Sequence, residues 1–420
     1  MFSKLLFSFC GLSLIYSAKA QNISYARFVI DTLCSPYMAG RGGPDEGEKK
    51  AAHYIASEFK KLELNPLGDN YLQPFIYPLN IFNGKISMYA DDKLLEPGVD
   101  FLINPSSASI KGTFDLVWYN KNNVPNKKTL YKLAKKNFFT NKLIVLDLFK
   151  AEENKKDFDF LLENPMGASG IILLKQNKLT WGKSTSCKTF ASIDMKAEVL
   201  PLHTKKITLD IENTFLEKFE SRNIVGYLKG AEVPDSFLVF TAHYDHLGKM
   251  GHSVYFPGAN DNASGVAMLL NLAEYFSKTP HRYSTVFIAF GGEEAGLLGS
   301  AAFVQQPLIP LNKIKFLINF DITGTGDEGV TVVNATLHEK EFLKMQEINS
   351  LNKYLKQVKK RGPAANSDHY FFAKNGVPCF YIYTMGGLSA YHDIYDRPET
   401  LPLTKFEDYF RLIRDFCLSF

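Results

Sequence analysis

From Ser221 to the carboxyl terminus, almost wholly apolar runs alternate with stretches whose apolar residues recur every three or four positions. Residues 224–228, 237–242, 284–290, 314–320 and 378–383 read as strands, and their unbroken hydrophobicity is that of strands covered on both faces. Between them, 264–276 carries Val266, Leu269, Leu270, Ala273 and Phe276 at helical spacing, with Ser264 expected as the cap. Helices are also predicted over 297–305 and 339–349. A last one follows Thr404, whose Glu407 three residues on would complete a capping box. Regular alternation of strand and helix predicts an α/β fold built on a mostly parallel, doubly covered sheet.

Upstream the pattern differs. Residues 44–64 place Ala52, Ile55, Phe59 and Leu62 on one face of a helix opened by Pro44 and acidic first-turn residues, expected to pack outside the sheet. From about 81 to 210 the chain turns to short β-like runs (112–119, 143–148, 170–174, 206–211) divided by polar turns rich in Lys and Asn. No residues there have the spacing of a metal site or a nucleophile. The expected organisation is a leader over 1–20, an amino-terminal helical part over 21–80, a smaller β-rich domain inserted over 81–210, and the main part of the α/β domain over 211–420.

Composition narrows this picture only slightly. A chain of 420 residues, 45% hydrophobic and 22% charged, has material for a large core and a second smaller unit. The first twenty residues run from Lys4 through an apolar stretch to Ala18-Lys19-Ala20, the pattern of a cleavable signal peptide with the mature chain starting near Gln21. That predicts a secreted or periplasmic protein. The apolar run is short for a membrane anchor, and Phe9 before Cys10 is bulky for a lipidation site. With 48 basic against 44 acidic side chains, two of the basic ones in the leader, no net field favours nucleic acid or anionic membranes. The basic clusters 127–136 and 353–361 read as solvated helix faces. Cys34, Cys187, Cys379 and Cys417 are scattered without a CxxC pair, which excludes a thiolate zinc site by spacing. Nothing in the pattern specifies an oligomeric state.

Candidate chemistry gathers at the predicted strand ends. Strand 237–242 ends in His243-Tyr244-Asp245-His246. Residues two apart on a strand face the same way, so His243 is a candidate zinc ligand and Asp245 is expected to hydrogen-bond its distal ring nitrogen. Asp261 lies among small residues directly before a helix, where a carboxylate can bridge two metals. After strand 284–290, Gly291-Gly292-Glu293-Glu294 sets two carboxylates side by side with no Lys or Arg nearby in sequence, a costly arrangement unless a cation neutralises it. Adjacent side chains diverge, which assigns Glu294 as metal ligand and Glu293 as general base. Asp321 ends strand 314–320, and His392 follows a glycine-bearing loop after the last strand. Singly, each reads as well as a turn residue or a cap. Together, at successive strand ends where open α/β sheets place their sites, they predict two zinc ions beside a general base. Tyr255, Phe256, Tyr383, Met385 and Leu388 in loops 250–256 and 383–389 suggest an apolar substrate pocket.

The ordered motifs AHYDHLG (242–248), GANDNASG (258–265), FGGEEAGLLGS (290–300), NFDITG (319–324), SDHYFF (367–372) and YHDIYD (391–396) extend this reading. With them the chain resembles the secreted dizinc aminopeptidases of metallopeptidase family twenty-eight, and AGRGGPDEGEKKAAHYI (39–55) resembles the family's amino-terminal helix. The resemblance implies that His243, Asp261 and Asp321 hold one zinc and that Asp261, Glu294 and His392 hold the other. It further implies peptide substrates with a free amino terminus and a cis peptide after Asp261. The 81–210 segment is similar in position and β-character to a protease-associated domain. Two other readings on the same scaffold stay open: a glutaminyl cyclase-like acyltransferase using one zinc, and a non-catalytic ectodomain.

Overall fold

Nine strands of the described residues join in one sheet, in the order Asn65–Pro66, Thr214–Leu228, Tyr283–Phe290, Val233–His243, Ile314–Phe320, Cys379–Met385, Gly329–Val333 and Val358–Lys360, with Leu72–Ile81 also paired to Thr214–Leu228. This computed structural model describes residues 23–147 and 159–420, so the expected leader lies outside the described residues. The four central strands, from Tyr283–Phe290 to Cys379–Met385, run parallel to one another. Antiparallel neighbours flank them on both sides, and the short Gly329–Val333 strand is among those the hydrophobic pattern does not reveal.

Alternate side chains of the central strands enter two separate cores. Phe240, Ala242, Phe287, Ala289, Ile318 and Phe320 pack against the helices Ile23–Leu33, Gly47–Lys61, Ser264–Lys278, Glu339–Asn352 and Phe406–Leu418. Val239, Val286, Ile288, Phe290 and Leu317 face the other way, against Phe303 of Leu298–Gln305 and Phe372 of His369–Lys374. Burial on both faces is why these strands are apolar without interruption. The strand Val233–His243 lies between Tyr283–Phe290, the next strand of this sheet in sequence, and Ile314–Phe320, so the chain's path reverses beside it. Its carboxyl end opens on the crevice where such sheets bind ligands.

Among the described residues, eight further strands, from Ile86–Ala90 to Lys206–Ile211, form a second sheet. One of its faces, with Val145, Ile172, Ile193 and Ile207, shares an apolar cluster with Phe82, Leu247, Met250 and Phe256. The last three belong to the loops after His243, so this sheet packs directly on the rim of the crevice. The helix Lys127–Lys135 covers the other face through Leu130. No helix of the described residues is long and apolar enough to cross a membrane.

Three local expectations are corrected. Ala263, not Ser264, stands at the cap position of Ser264–Lys278, because the Ser264 hydroxyl donates to the Asn260 carbonyl (2.7 Å) and accepts from the Thr323 amide (2.9 Å). Thr404 makes no capping box: its hydroxyl donates to Asp327 (2.8 Å), and the helix begins at Phe406. The 353–361 cluster is not a helix face, since Glu339–Asn352 ends before it and Val358–Lys360 is an edge strand.

Candidate active site

All but one of the metal-ligand candidates stand at or after the end of a central-sheet strand; Asp261 instead lies in the segment Ala259–Ala263, directly before the helix Ser264–Lys278. His243 is the last residue of its strand, and Asp321 directly follows Ile314–Phe320. Glu293 and Glu294 follow Tyr283–Phe290 after a turn in which Gly292 takes a left-handed φ of +65°. His392 follows Cys379–Met385 through a loop.

The structure brings these residues into two groups joined by one carboxylate. His243 Nε2 lies 3.3 Å from Asp261 Oδ1 and 3.4 Å from Asp321 Oδ1. His392 Nε2 lies 3.1 Å from Asp261 Oδ2 and 3.2 Å from Glu294 Oε2. Asp261 thus turns one oxygen to each group. His246, which sequence reasoning did not single out as a site residue, adds its Nδ1 at 2.7 Å from Glu294 Oε1 and belongs with Asp261 and Glu294 to a set whose donor atoms converge.

A second layer fixes these donors. Asp396 of the YHDIYD motif accepts from the amides of Asn260 and Asp261, both at 2.9 Å, and so sets the Asp261 backbone; the Asp261–Asn262 peptide is cis. Ser367 donates to Asp321 Oδ2 (2.8 Å) and accepts from Asn319, which in turn takes a bond from Thr241, so a relay inside the sheet orients Asp321. Ile322 next to it holds a left-handed φ of +63°, a conformation costing a β-branched residue about 1–3 kcal/mol. Its amide donates to Asn262 and its carbonyl accepts from Thr384, which secures the bend. Fully buried Arg41, from the AGRGG segment, donates to the carbonyls of Tyr244 (2.7 Å), Pro257 (2.6 Å) and Gly258 (2.8 Å), clamping the loops that carry His246 and Asp261.

The electrostatics are those of crowded anions. Burial, reinforced by Glu294, Asp321 and Asp368, holds the Glu293 carboxyl well above the usual carboxylate range. Burial alone would push the imidazoles down, yet Glu293 and Asp321 raise His243, and Glu294 and Asp261 raise His392 to about 9. Asp261, despite its burial, is held well below its ordinary value by its bonds to the two histidines. The same carboxylates that draw protons onto these imidazoles would attract divalent cations. Imidazole and carboxylate donors converging from two sides of one bridging Asp suit zinc, which takes N and O ligands.

Two expectations change on contact with this geometry. The Asp245 carboxylate does not bond the His243 ring, which lies 3.8 Å away; His243 Nδ1 instead approaches the Asp245 carbonyl at 3.2 Å. Asp245 accepts from the Glu293 amide (3.0 Å) and from Lys183 (2.6 Å). Phe256 is no pocket wall: it is fully buried and stacks on Trp181 with ring centroids 4.6 Å apart. The tryptophan's carbonyl lies 3.0 Å from His392 Nδ1 and its amide donates to the His392 carbonyl (2.8 Å). Trp181 and Lys183 both lie between Gly170–Lys175 and Ala191–Lys196 of the second sheet, where the sequence showed no chemistry-bearing spacing. The four cysteines among the described residues are free.

Comparison with known proteins agrees with this architecture. Residues 223–417 match the family model of peptidase family M28. A probable zinc metalloprotease of Pyricularia oryzae is 40% identical over 111 residues, 26% of this chain and 22% of that protein. Aminopeptidase YwaD of Bacillus subtilis is 37% identical over 112 residues, 26% of this chain and 23% of that protein. The matched stretch therefore spans about a quarter of these curated relatives. Among solved structures, an aminopeptidase from Aneurinibacillus sp. strain AM-1 superposes with a TM-score of 0.64 at 19% identity, over 95% of this chain and 94% of that one. A peptidase M28 precursor from Shewanella amazonensis gives 0.67 at 15% identity, over 95% and 97%. These superpositions establish the shared fold.

Proposed function

From a chain whose residues 223–417 match the model of peptidase family M28, we propose a zinc-dependent aminopeptidase that hydrolyses the amino-terminal peptide bond of peptides. The observation that carries this reading is the placement of Asp261 between two histidines, 3.3 Å from His243 and 3.1 Å from His392, with a further carboxylate on each side. His243, Asp261 and Asp321 would hold one zinc, and Asp261, Glu294 and His392 the other. A cation held there would supply Lewis acidity, polarising a carbonyl and bringing the pKa of water from about 16 toward 7.

The protein's own groups supply the proton handling. Glu293 is half-buried beside both donor groups, and its raised affinity for protons suits a base that accepts a proton from water and returns it to the leaving amine. Asp245 holds the Glu293 amide and thereby the base's backbone. Convergence of all five ligand side chains supports a two-zinc hydrolase over a one-zinc cyclase or a non-catalytic scaffold. We read 81–210 as an inserted protease-associated-like domain and, from the leader pattern, place the mature protein outside the cytoplasm.

The test is Glu293→Gln, assayed on a panel of aminoacyl-4-nitroanilides and on the same compounds with an acetylated amine. The wild type is expected to cleave only the free-amine forms, and the variant to keep its zinc while kcat falls by about 10²–10⁴. An active variant removes Glu293 from its role, and cleavage of the acetylated substrates removes the aminopeptidase reading.

A further inference from the structure

Lys183 is a buried ammonium, 4% exposed, placed beside the centre by a loop of the second sheet. Its Nζ lies 2.6 Å from Asp245 Oδ2 and 3.8 Å from Glu48 Oε2 of the helix Gly47–Lys61. Both carboxylates are themselves buried, Asp245 completely and Glu48 to within 2%. Ser221 also donates to Glu48. A lysine so enclosed has given up its hydration, and only well-made contacts with anions offset that loss. The other oxygen of Asp245 accepts from the Glu293 amide at 3.0 Å. A continuous path therefore runs from Lys183 through Asp245 to the backbone on which the Glu293 side chain hangs.

We propose that Lys183 is a positioning residue for Glu293, acting through Asp245, so that the second sheet completes the site of the first. This rests on the reading of Glu293 as general base. Without the ammonium, Asp245 would be a buried anion facing Glu48 with no cation between them. It would turn toward water, and a displaced carboxylate holds the Glu293 amide less firmly. The ammonium also explains how Asp245 can sit with 0% of its side chain exposed beside so many other acids. Methionine, similar in length and without charge, is the substitution that isolates this contribution.

The experiment is a double-mutant cycle of Lys183→Met and Asp245→Asn on the full zinc-loaded chain. It reads kcat and KM separately, zinc per chain, and hydrogen–deuterium exchange of the peptide spanning 290–297. Each single variant is expected to lose about 10- to 100-fold in kcat, as for groups that orient a metal site from outside it. KM should stay within about threefold and zinc should be retained. The double variant is expected to be no slower than the slower single one, because both act along one path. Exchange should quicken in 290–297 and not across the sheet. Multiplying losses, a Lys183→Met kcat within about threefold of wild type, or unchanged exchange in 290–297 each overturn the proposal. Should Lys183→Met fail to fold, Lys183→Gln, which keeps a donor, takes its place in the cycle with the same expectations. A wild type that binds zinc yet cleaves no aminoacyl substrate overturns the aminopeptidase reading instead, while the exchange result still decides whether Lys183 holds the 290–297 loop.

Discussion

The two halves of the centre share Asp261 and differ in what holds them. In the first, His243 and Asp321 stand at the ends of central strands and Asp261 directly before the buried helix Ser264–Lys278, with side chains only 2%, 8% and 6% exposed. In the second, His392 is 18% exposed, sits on a loop with a left-handed φ of +53°, and takes its ring orientation from the Trp181 carbonyl of the other sheet. The first half is thus built into the sheet, and the second depends on a contact across 211 residues of sequence. The second half also has a spare donor, since His246 approaches the same Glu294. Rigidity on one side and redundancy on the other are two ways to keep a ligand set together.

Substitutions that respect or cross this division should differ in size. Asp261→Ala strikes both halves at once, and zinc per chain should fall from about two to about zero, with turnover falling to background. Retention of a full complement would show that Asp261 does not join the two groups. His243→Ala should cost more than His392→Ala. With no second imidazole grouped with Asp321 among the described residues, the former is expected to lose about one zinc per chain, and with it turnover by about 10²-fold or more. His246 should cushion the latter to roughly 10- to 100-fold in zinc affinity, measured by chelator competition. Equal losses would erase the distinction drawn between the halves.

A further effect, on stability and not on the centre, lies outside both halves. Burial holds His369, packed on Tyr381, down to about 4, below its ordinary value of 6.5. Between these values the unfolded chain binds a proton that the folded one does not. Stability should therefore be unaffected above pH 6.5 and decline as pH falls toward 4, by up to about 3 kcal/mol. Urea unfolding across that range should show the slope, and His369→Phe should flatten it.

How much of this was legible in sequence follows the same division. Strands buried on both faces are apolar throughout, so the polar residue that ends each one stands out, and Asp321 and the Glu293–Glu294 pair are visible for that reason. Chemistry delivered from afar leaves no such contrast. Lys183 sits in a polar loop like many others, and only folding brings it 2.6 Å from a residue 62 positions away. Glu48 reads as an exposed first-turn acid, yet its helix turns that face inward, under Lys183 and Ser221. Ser264 and Thr404 carry capping signatures, but the Thr323 amide and Asp327 claim their hydroxyls. Arg41 looks like a surface residue between glycines. It is buried because an alanine-sized side chain at Gly40 or Gly42 would collide with the backbone of Gly248, and glycine there lets the segment press into the loops it clamps.

The most direct test of the two-ion centre is zinc per chain on the purified mature protein, followed through stepwise chelation alongside hydrolysis of an aminoacyl-4-nitroanilide. About two zinc per chain, with hydrolysis disappearing as they are withdrawn and returning when zinc is restored, is the predicted result. Hydrolysis that persists in metal-free protein, or full activity with a single bound ion, would contradict it.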